Sequence, residues 1–66
     1  MIWDRIASRL IHAIGYDIGP RTMVVKFTDG SVKYHSPVPI SIYQAIAHAR
    51  FPEKTYNHYV KEHVLA

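Results

Sequence analysis

Lys26, Lys33 and His35 are the residues whose types and spacing most invite a chemical role. Cations gathered on one surface can neutralise the phosphates of a nucleic acid and release its condensed counterions. Two lysines facing each other across a ladder also repel mildly, by tenths of a kcal/mol, and an anion laid over them relieves that repulsion. The plain alternative is a solvated sheet face on which the two chains splay apart. Arg9, Arg21, Arg50, Lys54 and Lys61 would widen a basic patch. Tyr16, beside a turn, and Phe51, beside Pro52, are the aromatics placed to stack on unpaired bases. Tyr34, Tyr43, Tyr56 and Tyr59 fall on apolar stripes and read as core.

Other chemistries find less. His58 and Glu62 stand at i, i+4, compatible with two metal ligands, but no third ligand has a recognisable spacing and cysteine is absent. They read as a solvated helical pair, with His63 packing on the apolar side, and neither a metal nor another cofactor is expected. There is no cysteine nucleophile, serine elbow or glycine-rich phosphate loop. Asp17 and Asp29 sit where turns need aspartate. The expectation is a binding protein and not an enzyme.

These residues must be held by a small frame. Sixty-six residues make one domain, residues 1–66, and a chain of that size buries only about 60% of its unfolded surface. A formal charge of +3 permits a polyanionic or acidic partner without requiring one. No apolar run reaches the roughly 18 residues of a membrane span. Met1 to Asp4 lacks the basic and apolar regions of a secretion signal, so the cytoplasm is the expected location and no membrane partner is expected.

Asp29-Gly30 between alternating segments is a type I′ hairpin signature. A two-residue loop pairs Phe27 with Val32, Lys26 with Lys33, Val25 with Tyr34 and Val24 with His35. Met23, Val25, Phe27, Val32 and Tyr34 then share a core face, and Thr22, Val24, Lys26, Lys33 and His35 a basic one. Pro37 and Pro39 end the hairpin, with Pro39 suited to a first helical turn. Ile42, Tyr43, Ile46 and Ala49 follow helical spacing until Pro52. A last helix begins near Thr55 as N-cap and turns Tyr56, Tyr59, Val60, His63 and Val64 inward. Near the start, Trp3, Ile6, Ala7, Leu10, Ile11 and Ile14 have helical spacing, yet Leu10 to Tyr16 is rich in isoleucine and ends at turn residues. Periodicity leaves that segment open between helix and strand.

The runs Ser8 to Asp17, Val24 to Tyr34 and Val38 to Tyr43 resemble, in order and spacing, the KTSC domain. That family is named after the C-terminal extension of some lysyl-tRNA synthetases and also occurs as short stand-alone proteins in bacteria and phages. The resemblance spans about Ser8 to Val64 and implies that Ser8 to Tyr16 is a strand. The fold class is then α+β: a three-stranded antiparallel sheet (8–16, 22–28, 31–36) followed by two helices (39–50, 55–64), with residues 1–7 a flexible or N-terminal extension. It also implies an accessory nucleic-acid-binding module, for RNA before DNA. Where the family shows a small residue and a glycine between the helices, this chain has Arg50-Phe51-Pro52-Glu53-Lys54. The alternative is a protein-interaction module regulating a larger host or phage protein, suggested by exposed Trp3 and Phe51 and an open sheet edge. Either way the chain is expected to be a monomer or a weak homodimer.

Overall fold

The loop from Thr28 to Gly30 decides how the strands meet. In the computed structural model, which describes residues 1–62 and 65, Gly30 takes φ +93 while Asp29 does not take a positive φ. The Gly30 N–H donates to the Phe27 carbonyl at 3.1 Å, and the Phe27 N–H donates to the Ser31 carbonyl at 2.9 Å. This is a three-residue loop with glycine in the left-handed position, in place of the two-residue loop that Asp-Gly suggests. Asp29 Oδ1 supports it by accepting from the Ser31 N–H at 2.8 Å and the Ser31 hydroxyl at 2.6 Å. Those bonds, the hydroxyl's foremost, hold the Asp29 carboxyl below its ordinary range. A Cβ on Gly30 would meet nothing within 4 Å, so a side chain there is opposed by the backbone alone. Gly30→Ala should therefore cost about 1 kcal/mol in urea unfolding; an unchanged midpoint would contradict the left-handed loop.

The strands are β1 (Ile2–Arg5), β2 (Ile11–Asp17), β3 (Thr22–Phe27) and β4 (Val32–His35), followed by α1 (Ile40–Ala47) and α2 (Pro52–Lys61). They form one antiparallel sheet in the order β1-β2-β3-β4. The fold class is α+β, with four strands where three were expected. The extra residue in the loop shifts the β3–β4 register by one, and a one-residue shift turns every side chain of β4 over. Met23 faces His35, Val24 faces Tyr34, Val25 faces Lys33 and Lys26 faces Val32. Val32 and Tyr34, expected inside, are 41% and 70% exposed, whereas His35, expected outside, is 6% exposed. Lys26 and Lys33 therefore lie on opposite faces of the sheet, and the expected basic face does not form.

The N-terminal ambiguity resolves into two strands. Ile11 pairs with Phe27 and Ala13 with Lys26, which leaves His12 as the extra residue of a bulge. That bulge lets Ile11 and Ile14, an odd number of positions apart, both point inward, so a helical interval sits inside a strand. Residues 1–7 do not simply extend from the domain: Ile2 to Arg5 pair with Tyr16 to Ala13, and the Ile6 N–H donates to the His12 carbonyl at 3.0 Å.

Both helices cover one face of the sheet. Tyr43, Ile46 and Tyr56 join Ile11, Ile14, Tyr16, Met23 and Val25 in a single apolar cluster closed by Val38 and Leu65. Pro39 stands at the N-cap of α1 with extended backbone. Pro52 lies in the first turn of α2, so that helix starts before Thr55, which is internal to it rather than its cap. Tyr56 is buried and Tyr59 half-buried, while Val60 is exposed; the expected inward positions His63 and Val64 lie outside the described residues. Among the described residues no helix is long and apolar enough to cross a membrane.

Two tyrosine hydroxyls join the layers. Tyr16 donates to the Val38 carbonyl at 2.6 Å, and Tyr43 on α1 donates to the Asp4 carboxylate on β1. Burial, and then the Asp4 carboxylate, push the Tyr43 phenol far above its ordinary 10. A group whose acid form is favoured by folding stabilises the fold below its unfolded value, and that contribution is lost as pH rises past it. Stability should thus decline above pH 10, and Tyr43→Phe should flatten that decline; equal slopes for the two proteins would refute the linkage.

Candidate nucleic-acid interface

The sheet face away from the helices is built from cross-strand rows. One row runs Trp3, Gly15, Val24, Tyr34 and the next runs Arg5, Ala13, Lys26, Val32. Directly paired residues share a face, so the seven side chains of these eight residues point the same way. Gly15 gives the surface its shape. A Cβ there would lie 2.7 Å from Trp3 Cε3 and 2.8 Å from Cζ3, so the indole reaches from the edge strand and rests across β2. Lys26 Nζ stands 4.7 Å from the indole centroid, a cation–π distance. Val24 is 4% exposed although, among the described residues, no helix covers it; its same-face neighbours are the indole-covered Gly15 and Tyr34.

The result is a shallow surface with Trp3 46% exposed toward one side, Tyr34 toward the other, and Arg5 and Lys26 in the adjoining row. The row beyond carries Asp17 opposite Thr22. Two exposed rings beside two cations, with one carboxylate a row away, suit an anionic ligand that also has flat apolar faces.

The sequence-derived site residues scatter over the molecule. Lys26 belongs to this surface. Lys33 is exposed on the opposite face, across from Val25. His35 is buried, its Nε2 2.7 Å from the Tyr56 hydroxyl, with the two rings edge to face. Arg9 lies in the β1–β2 loop, where its carbonyl accepts from the Thr28 hydroxyl at 2.9 Å. Arg21 takes φ +57 in the β2–β3 turn and lines a shallow cleft with Ile18, Pro39 and Ile40. Arg50 and Lys54 flank the ring of exposed Phe51 at 5.8 and 5.0 Å between the helices. Lys61 is exposed in the last turn of α2. Tyr16 cannot stack on a ligand: it is buried and packs on Tyr43 at 5.2 Å between centroids. His58 lies edge-on to Tyr59 at 5.6 Å, and among the described residues no three potential metal ligands gather.

Arg5 and Tyr34 are what sequence reasoning missed on this surface; Trp3 is exposed as expected, but the sequence tied it to a protein partner and not to this face. A two-residue loop would turn Tyr34 inward. Trp3 and Arg5 lie on a strand of four residues, too short for alternation to register. Gly15 inside an isoleucine-rich strand was the available signal, since a strand glycine often marks close approach by another group.

No curated protein matches the chain. The sequence pattern of one family does match, over residues 7–63, which take in β2 to β4, both helices and the Gly15, Val24, Lys26 and Tyr34 part of the outer face. The chain belongs to the KTSC domain family.

Proposed function

We propose that this protein is a non-catalytic nucleic-acid-binding module, for RNA in preference to DNA, and that it binds through the helix-free face of its sheet. The observation that carries this reading is the juxtaposition of exposed Trp3 and Tyr34 with Arg5 and Lys26 on one surface. Aromatic rings on a cationic surface are the combination that binds single strands, the rings taking bases and the cations phosphates. The net charge of +3 works in the same direction over longer range. The family's association with lysyl-tRNA synthetases is a further reason to place RNA first.

A titration of ¹⁵N-labelled protein with a short single-stranded RNA tests it. Amide shifts should concentrate at Trp3, Gly15, Val24, Lys26 and Tyr34 and leave α2 unmoved. Shifts confined to Arg50, Phe51 and Lys54 would move the site to the interhelical turn, and their absence at millimolar RNA would leave a protein partner as the better reading.

A further inference from the structure

We propose that the outer face holds single-stranded nucleic acid by taking two splayed, unpaired bases, one on Trp3 and one on Tyr34, and that Gly15 is the positioning residue that makes this possible. The inference rests on the nucleic-acid reading above and adds the form of the ligand. Trp3 and Tyr34 stand in one row at the two edge strands, with Gly15 and Val24 between them. Strands lie about 4.8 Å apart, so β1 and β4 are separated by roughly 14 Å. Because the indole rests over Gly15, one strand in, the rings are separated by about two strand spacings, roughly 10 Å.

A duplex offers these rings no base face. Stacked bases in a duplex follow one another at about 3.4 Å, with their flat faces covered by their neighbours. Rings lying on a sheet can reach a base face only where the strand is unpaired and its bases are spread apart. No side chain stands up between the rings, since Gly15 has none and lies under the indole and Val24 is buried, so the strand can cross from one ring to the other. Arg5 and Lys26 flank that path from the adjoining row; the exposed Lys26 ammonium, now 4.7 Å from the indole centroid, swings from the ring to a phosphate as the base stacks.

Gly15 sets the height of the indole. Any side chain there would drive the ring atoms now 2.7–2.9 Å from the Cβ position off the sheet. The atoms in the way belong to a half-exposed edge-strand side chain, so the ring can yield while the core stays packed.

The experiment compares an eight-nucleotide oligouridine with the same strand in an RNA duplex, by anisotropy of a labelled strand and by emission of Trp3, the one tryptophan. The single strand should quench Trp3 and bind at least tenfold tighter than the duplex. Tyr34→Ala and Trp3→Ala should each weaken single-strand binding about tenfold or more, while the slope of log affinity against log salt, which reports phosphates, stays as in the wild type. Gly15→Ala should shift Trp3 emission and weaken binding like Trp3→Ala, with the core amide spectrum unchanged. Equal single-strand and duplex affinities, unaffected by Trp3→Ala or Tyr34→Ala, would overturn the two-base inference and leave phosphate binding standing. Failure of the wild type to bind either RNA would overturn both. A Gly15→Ala protein that binds as the wild type does would remove Gly15 from its role.

Discussion

His35→Ala should destabilise the protein by about 2–4 kcal/mol, the sum of a cavity and a tyrosine hydroxyl stripped of its buried partner. His35 lies inside the sheet–helix layer, opposite Met23, with its Nε2 2.7 Å from the Tyr56 hydroxyl. Tyr56 also packs edge-on against Phe27 at 5.8 Å, so the loss reaches the turn end of the hairpin. Urea unfolding measures the cost. The comparison that gives it meaning is Val32→Ala and Tyr34→Ala, which should each change stability by no more than about 0.5 kcal/mol because both side chains point to solvent. A two-residue loop would reverse that order, making the Val32 and Tyr34 changes costly and the His35 change cheap.

Ile14→Ala should lower the melting temperature by roughly 8–40 °C. Ile14 is fully buried between Asp4 of β1 and Val25 of β3, below the α1 helix that supplies Tyr43 and Ile46. Truncating a buried isoleucine costs about 2–5 kcal/mol, including the cavity it leaves. A chain of 66 residues has a total stability of roughly 3–10 kcal/mol, and each kcal/mol moves the midpoint of so small a domain by about 4–8 °C. Circular dichroism melts of the two proteins decide it, and a fall of less than about 5 °C would mean that Ile14 is not at the centre of the core.

The inward side of the fold was largely legible from residue pattern because burial leaves a regular trace. Met23 and Val25 alternate along β3, and Tyr43 and Ile46 recur on α1 at helical spacing. The errors came from places where one residue changes the count. Thr28 joins Asp29 and Gly30 in the loop, and that single addition inverts Val32, Lys33, Tyr34 and His35. His12 adds a bulge to β2 and gives a strand the interval of a helix. Asp-Gly alone cannot distinguish the two loops, since both place glycine at positive φ; Ser31, whose N–H and hydroxyl both reach Asp29, is part of what tips the choice.

The candidate site was less legible because it depends on those same counts. The lysine pair that stands out in the sequence is separated by the sheet itself, whereas Trp3, Lys26 and Tyr34 come together only once β1 is paired and β4 is turned over. Basic residues on the loops and helices, such as Arg9, Arg50 and Lys61, carry charge but share no surface row with those rings.

The most direct test of the central claim is the salt dependence of single-stranded RNA binding for the wild type, Arg5→Glu/Lys26→Glu and Lys61→Glu. Each phosphate left without its cation should lower the slope of log affinity against log salt by about 0.7. The double reversal on the sheet face should weaken binding at least tenfold and lower the slope by about 1.4, and Lys61→Glu on α2 should leave affinity within about twofold and the slope nearly unchanged. If the double reversal binds RNA as the wild type does, or Lys61→Glu is the variant that fails, the helix-free face is not where this protein meets nucleic acid.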